Sequence, residues 1–383
     1  MSRSRELLAS LISFDTTSRE SNLKLIEFVT DYLTQFKVPY ELIFNDEKSK
    51  ANLFATLGPS DCQGIVLSGH TDVVPVDGQH WSTDPFQLTE KEGRLYGRGT
   101  ADMKGYIACV LAAVPGFLAA PLRMPIHIAL SYDEEIGCLG VRSLINELEK
   151  RTPKPQLCLI GEPTTLQPVV GHKGKLSMRC DVHGAACHSA YAPEGVNAIE
   201  YAADLITQLG RIARDLRDAR LCDARFDPPF STVQTGIVHG GEAINIVPAD
   251  CYFDYEIRAL PTQDPREINQ QLEQYAEQRL LPNMRAVNAA SSINFSELSS
   301  YPGLLTDTRS VAAQLIAQIC QSDDFTTVAF GTEGGLYDAI GIPTLICGPG
   351  SIEQAHKPDE YISIQQLADC DRMLEHLTLT LRA

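Results

Sequence analysis

Six residues at five places along the chain carry the types that hold divalent cations and move protons: His70, Asp102, the pair Glu134-Glu135, Glu162 and His356. His70-Thr71-Asp72 directly follows the apolar run Gly64–Ser68, Asp133-Glu134-Glu135 follows Ile126–Ser131, and Glu162 follows Leu157–Ile160. Asp102 lies in GTADMKG just ahead of a helical stretch, and His356 follows the run and turn PTLICGPGS. Ligands in open α/β sheets collect past the carboxyl ends of strands, and all five places fall there or at a helix entry. Two histidines with several carboxylates and no thiolate suit zinc or cobalt in a hydrolytic centre. One carboxylate bridging two ions would hold them about 3.5–4 Å apart. Asp72, two residues past His70, can fix the imidazole tautomer. Neighbours on an extended segment point in different directions, so one of Glu134 and Glu135 can bind metal while the other serves as general base. Any one of these residues alone is more simply a loop cap or a solvated polar group. Together, in this order, they make a site.

The elements that must position them read as an α/β fold with two parts. Strand-like runs at Gly64–Ser68, Ile126–Ser131 and Leu157–Ile160 alternate with helical stretches at Gly105–Ala120 and Cys138–Lys150, which predicts a central mixed sheet flanked by helices. The pattern changes at Leu176–Val182, where strict alternation marks a half-buried strand. A helix near Asn197–Leu209, strands at Thr232–Val238 and Tyr252–Ile257 and a helix over Pro265–Leu280 complete a β-α-β-β-α unit. The first pattern then resumes with a helix at Arg309–Cys320, strands at Thr327–Phe330 and Thr344–Cys347, and a closing helix from Ile364. Residues 1–175 and 286–383 are therefore expected to form one domain, interrupted by a smaller α+β sandwich over 176–285. The long gap from Glu162 to His356 is accounted for by that insertion.

At 383 residues with a formal charge of -17, the chain repels phosphate backbones and anionic lipid, which argues against nucleic-acid and membrane-surface roles. No apolar run approaches the roughly 18 residues of a membrane span, and the N-terminal stretch does not read as a signal peptide. Eleven cysteines without a C-x-x-C pair, many inside apolar runs, argue against a disulfide framework or a zinc–thiolate site and for a reducing cytoplasm. Gly97-Arg98-Gly99 lacks the third glycine of a dinucleotide loop, and no G-x-S-x-G elbow is present, so NAD-dependent and serine-hydrolase chemistries fall away. A protein that kept the fold only to bind would be expected to lose a ligand or the base, and none is missing.

Five blocks extend these residues: Ser68–Pro75 (SGHTDVVP), Gly97–Gly105 (GRGTADMKG), Asp133-Glu134-Glu135, Gly161-Glu162-Pro163-Thr164 and Gly348-Pro349-Gly350-Ser351. In them the chain resembles, over essentially its whole length, the di-zinc aminoacylase and carboxypeptidase family of metallohydrolases. The resemblance implies a metallopeptidase-like catalytic domain with an inserted lid and dimerisation domain. It implies two divalent ions per chain, Zn(2+) or Co(2+), with Asp102 bridging, His70 and Glu162 on one ion, and Glu135 and His356 on the other. It makes Glu134 the general base and Asp72 the orienting partner of His70, and it places a non-proline cis peptide after Asp102. His188 matches a histidine that family dimers donate across the interface to the reacting carbonyl. Arg258 and Asn245 match substrate-binding positions, an Arg suiting a carboxylate. The blocks Gly161–Val169 and Gly348–Tyr361 imply hydrolysis of a small N-acyl amino acid, with other acyl amino acids or dipeptides as alternatives. Glu333, after Thr327–Phe330, is the expected counter-ion for a substrate ammonium. A homodimer through the inserted domain is implied, with no nucleic-acid or membrane partner.

Overall fold

The computed structural model describes residues 2–382. The chain divides into two compact units: one built from residues up to Gly171 with Leu304–Thr327 and the segment from Thr332 onward, the other from His172–Gly303 with Val328–Gly331. Among the described residues no helix is long and apolar enough to cross a membrane.

The first unit is organised by a mixed sheet that runs, from one edge inward, Tyr40–Phe44, Ala51–Leu57, Ile126–Ser131, Ile65–His70, Leu157–Pro163 and Thr344–Gly348. The last four are mutually parallel, with His70 level with Ser131 and Gly348 level with Pro163. Their carboxyl ends therefore open at one side of the sheet, which brings four of the sequence-predicted segments together. These strands are buried along their length, as parallel strands covered on both faces must be. The helix Lys104–Ala119 is apolar on almost every side because it is sandwiched, packing against the helices Arg3–Ile12 and Ile364–Thr380. A three-stranded sheet of Thr89–Lys91, Arg94–Tyr96 and Tyr361–Ser363 ties the segment before Asp102 to the segment after His356.

The second unit is a four-stranded antiparallel sheet in the order Thr232–Gly240, Asp250–Ala259, Gly174–His183, Ser292–Tyr301, with the helices Ala198–Asp218 and Pro265–Tyr275 against it. Gly174–His183 alternates buried and half-buried residues from end to end, so one face packs and the other meets solvent. Asn197 caps the long helix by accepting the backbone N–H of Ile199 and Glu200. The unit is larger than the expected 176–285. The strand Ser292–Tyr301 extends it at the carboxyl side, a polar edge strand (SINFSELSSY) whose serines hid it.

Candidate metal centre

His70 ends the strand Ile65–His70 and is 1% exposed. Its Nδ1 donates to the carbonyl of Asp72 at 2.9 Å, which places the proton on Nδ1 and leaves the Nε2 lone pair free. Nε2 faces Asp102 Oδ1 at 3.0 Å and Glu162 Oε1 at 3.7 Å. On the other side, His356 Nε2 lies 3.2 Å from Asp102 Oδ2 and 3.0 Å from Glu135 Oε2. Two three-residue groups result, His70–Asp102–Glu162 and Asp102–Glu135–His356, each with its donor atoms within 4.8 Å of one another. Asp102 belongs to both, and each of its oxygens faces a different histidine. The peptide after Asp102 is cis.

The electrostatics follow from this crowding. Burial pushes the Glu134 carboxyl well above its ordinary value, His70 opposing and Glu135 adding to it. Burial does the same to Glu162, with Asp102 adding, and raises Glu135 to about 7. Burial would raise Asp102 too, but His356 and His70 outweigh it and hold that carboxyl well below the usual range. Burial would depress His70, yet the Asp102 and Glu162 carboxylates keep it well above its ordinary value. His356 is raised to about 10 by its bonds to Asp102 and Glu135. Carboxyls this close and this buried cannot all ionise without positive charge beside them. Two divalent cations would supply it, and the oxygen and imidazole donors suit borderline metals. Glu135 Oε1 is buried without a hydrogen-bond partner, as a metal-facing oxygen would be. Each group offers three protein donors, which would leave coordination positions open on a bound ion, as in a catalytic rather than a structural site.

Asp72 acts differently from expectation. The backbone carbonyl, rather than the carboxylate, takes the His70 proton; the carboxylate Oδ1 lies 3.6 Å from His70 Nδ1. The carboxylate instead accepts the backbone N–H of Glu134 at 3.1 Å and of Glu135 at 3.3 Å, and the hydroxyl of Ser18 at 2.7 Å. It therefore holds the turn that carries Glu134 and Glu135. The same turn is anchored from outside by Lys50 Nζ on Asp133 Oδ1 at 2.6 Å.

Glu360 has no counterpart among the sequence-predicted residues. Its Oε1 accepts the backbone N–H of Ala101 and Asp102 at 2.9 and 3.1 Å, and its Oε2 accepts Gly99 N–H at 3.0 Å and Arg98 Nη1 at 2.7 Å. Arg98 and Glu360 are each 1% exposed. Arg98 Nη2 donates to Gln79 Oε1, and Gln79 Nε2 donates to the carbonyl of His356. One buried ion pair thus clamps the backbone of Asp102 and, through Gln79, that of His356, two of the three residues of the second group. The sequence held only a faint signal, an arginine between two glycines beside Asp102, whose burial nothing local announces.

Glu333 lies in the first unit. It is 1% exposed beside Ser68 and Ser131, its Oε1 is unpartnered, and burial raises its carboxyl to about 7. The other three expected residues lie in the second unit. His188 is exposed, and its Nδ1 accepts the N–H of Ala190 at 3.1 Å, which leaves the proton on Nε2. Asn245 is its neighbour: the Asn245 carbonyl accepts Ser189 N–H, and His188 pairs with Ile246 in an isolated bridge. Arg258 is held by Glu256 through Nε at 2.6 Å and by Tyr301 through Nη1 at 2.7 Å.

With this geometry in place, the profile described as peptidase family M20/M25/M40 matches residues 66–380. The chain is 34% identical over 374 residues to a protein named acetylornithine deacetylase from Pasteurella multocida, spanning 97% of this chain and 95% of that one. It superposes with a TM-score of 0.79 on an M20 family metallo-carboxypeptidase from Sulfolobus solfataricus, at 18% identity and covering 100% of this chain and 99% of that one. A Bacillus subtilis protein described as a dinuclear metal binding peptidase of the M20 family superposes with a TM-score of 0.68, at 12% identity, covering 99% of this chain and 98% of that one.

Proposed function

The chain belongs to peptidase family M20/M25/M40 and is a metallohydrolase acting on amides, and from that premise we propose that it hydrolyses the acetyl amide of N2-acetyl-L-ornithine to L-ornithine and acetate. The observation that carries the reading is the Asp102 carboxylate set between His70 Nε2 and His356 Nε2. Two cations, zinc or cobalt, would be held by His70, Asp102 and Glu162 and by Asp102, Glu135 and His356. When bound they acidify water toward a pKa of about 7 and polarise the amide carbonyl. Glu134, on the turn fixed by Asp72, accepts a proton from the attacking water and returns it to the departing amine. His188, with its proton on Nε2, is proposed as a donor to the developing oxyanion, contributed by a partner subunit of a homodimer. Arg258 is proposed to bind the substrate carboxylate and Asn245 to contact the substrate. The assignment of an acetyl-ornithine substrate rests on the names of the relatives and the blocks Gly161–Val169 and Gly348–Tyr361, and it fits a step of arginine biosynthesis in the cytoplasm.

The test is a substrate panel on protein reconstituted with Zn(2+) or Co(2+). N2-acetyl-L-ornithine is expected to be cleaved with a higher kcat/KM than acetylcitrulline, N-succinyl-diaminopimelate or a dipeptide. Preference for any of those three would overturn the substrate while leaving the reaction class in place.

A further inference from the structure

Away from the carboxylate centre, three sulfur atoms from three separate elements of the first unit converge. Cys320 is the last residue of the helix Val311–Cys320, Cys347 lies in the strand Thr344–Gly348, and Met373 lies in the helix Ile364–Thr380. Cys320 Sγ is 3.3 Å from Cys347 Sγ and 3.9 Å from Met373 Sδ, and Cys347 Sγ is 3.7 Å from Met373 Sδ. Both cysteines are free. Cys347 is fully buried and Met373 5% exposed, while Cys320 is half-buried and opens, with Met373, into a pocket of about 170 Å³ whose rim includes Leu166, Gln321, Arg372 and His376.

We propose that Cys320, Cys347 and Met373 form a binding site for a soft monovalent cation, Cu(I), entered through that pocket. A metal–sulfur bond of about 2.3 Å sets the three ligands of a trigonal centre roughly 4 Å apart, so the observed spacings need only a small expansion. Thiolate and thioether donors together select Cu(I). Zinc fits less well, since its four-coordinate protein sites add imidazole or carboxylate to thiolate, and although Asp369 and His376 line the pocket, neither groups with the two cysteines at ligand distance. Binding displaces a thiol proton to solvent, and Cys320, at the pocket, is the thiol placed to release it. One thiolate and one Cu(I) form a neutral pair that an otherwise apolar site can hold, with the Cys347 sulfur and the Met373 thioether completing the coordination. A disulfide between Cys320 and Cys347 is the competing fate of the same thiols, but it gives Met373 no role.

The experiment titrates Cu(I) into the reduced, full-length, zinc-loaded protein under anaerobic conditions against a colorimetric Cu(I) chelator. One equivalent of Cu(I) is expected to be retained, with thiolate-to-copper charge-transfer absorption in the near ultraviolet. Cys320→Ser is expected to lower the affinity by at least about tenfold and Met373→Leu by a smaller factor, whereas Cys222→Ser, at an exposed thiol, leaves it unchanged. Cys320 sits at a half-buried helix end, so its variant tests the site without emptying the core; thermal unfolding of each variant checks that the fold is kept. Retention of Cu(I) by Cys320→Ser at wild-type affinity would overturn the proposal. So would a wild-type protein that surrenders all its Cu(I) to the chelator.

Discussion

Asp72 Oδ1 accepts the backbone N–H of Glu134 at 3.1 Å, so the residue whose carbonyl holds His70 also positions the proposed general base. Because Oδ2 takes the N–H of Glu135, one carboxylate fixes the proposed base and a proposed ligand together. Asp72→Ala should cost about 10–100-fold in kcat and weaken one cation more than the other, since Glu135 serves only one group. Kinetics with chelator competition checks this. A loss in KM alone would contradict it.

Glu134→Gln keeps the shape of the turn and removes the proton acceptor. The expected result is a fall in kcat of about 10²–10⁴ with the cation content unchanged. Kinetics alongside elemental analysis of the same preparation separates the two. Wild-type turnover in the variant would remove Glu134 from the mechanism.

The Arg98–Glu360 pair predicts a different signature. Arg98→Leu leaves the Glu360 carboxylate buried without its cation, which costs on the order of 3–5 kcal/mol of stability. Glu360→Gln keeps the volume but loses charge under the Ala101 and Asp102 amides, and should weaken cation binding about 10–100-fold. Urea unfolding and Co(2+) titration followed by visible absorption report on each. An unchanged cobalt affinity in Glu360→Gln would reduce the pair to a structural clamp.

Acid should destabilise the fold through histidines outside the metal centre. Burial, with Arg151 adding, lowers His127 to about 4, and burial, with Arg258 adding, lowers His172 to about 4. Between their unfolded value near 6.5 and 4 the unfolded chain binds more protons, so stability falls as pH falls through that window. Each histidine contributes on the order of 2–3 kcal/mol that is present above the window and absent below it. Denaturant unfolding at pH 7 and pH 5 should show the loss, and His127→Gln should make it smaller. Equal losses in both proteins would refute the assignment to His127.

How much of this was legible follows from what each residue's signal depended on. His70, Glu134, Glu135 and Glu162 could be placed because they sit next to short β-branched runs whose carboxyl ends must gather in a parallel sheet. The pairing of Asp102 with both histidines came from resemblance, since nothing local says where a loop carboxylate folds back. Glu360 escaped because its partners are backbone amides more than 250 residues away, and amides leave no trace in sequence. Ser292–Tyr301 escaped because an edge strand with a solvated face can be built from serines as readily as from valines. Glu333 could be singled out only by its place after a strand, and the packing of Ser68 and Ser131 around it is invisible in one dimension.

The central claim is that Asp102 joins two cations into one centre, and metal content per chain tests it most directly. Wild-type protein, dialysed after loading with Zn(2+), is expected to retain two ions per chain, and Asp102→Ala fewer than one, with folding confirmed by circular dichroism. Two retained ions in Asp102→Ala, or none in the wild type, would contradict the account.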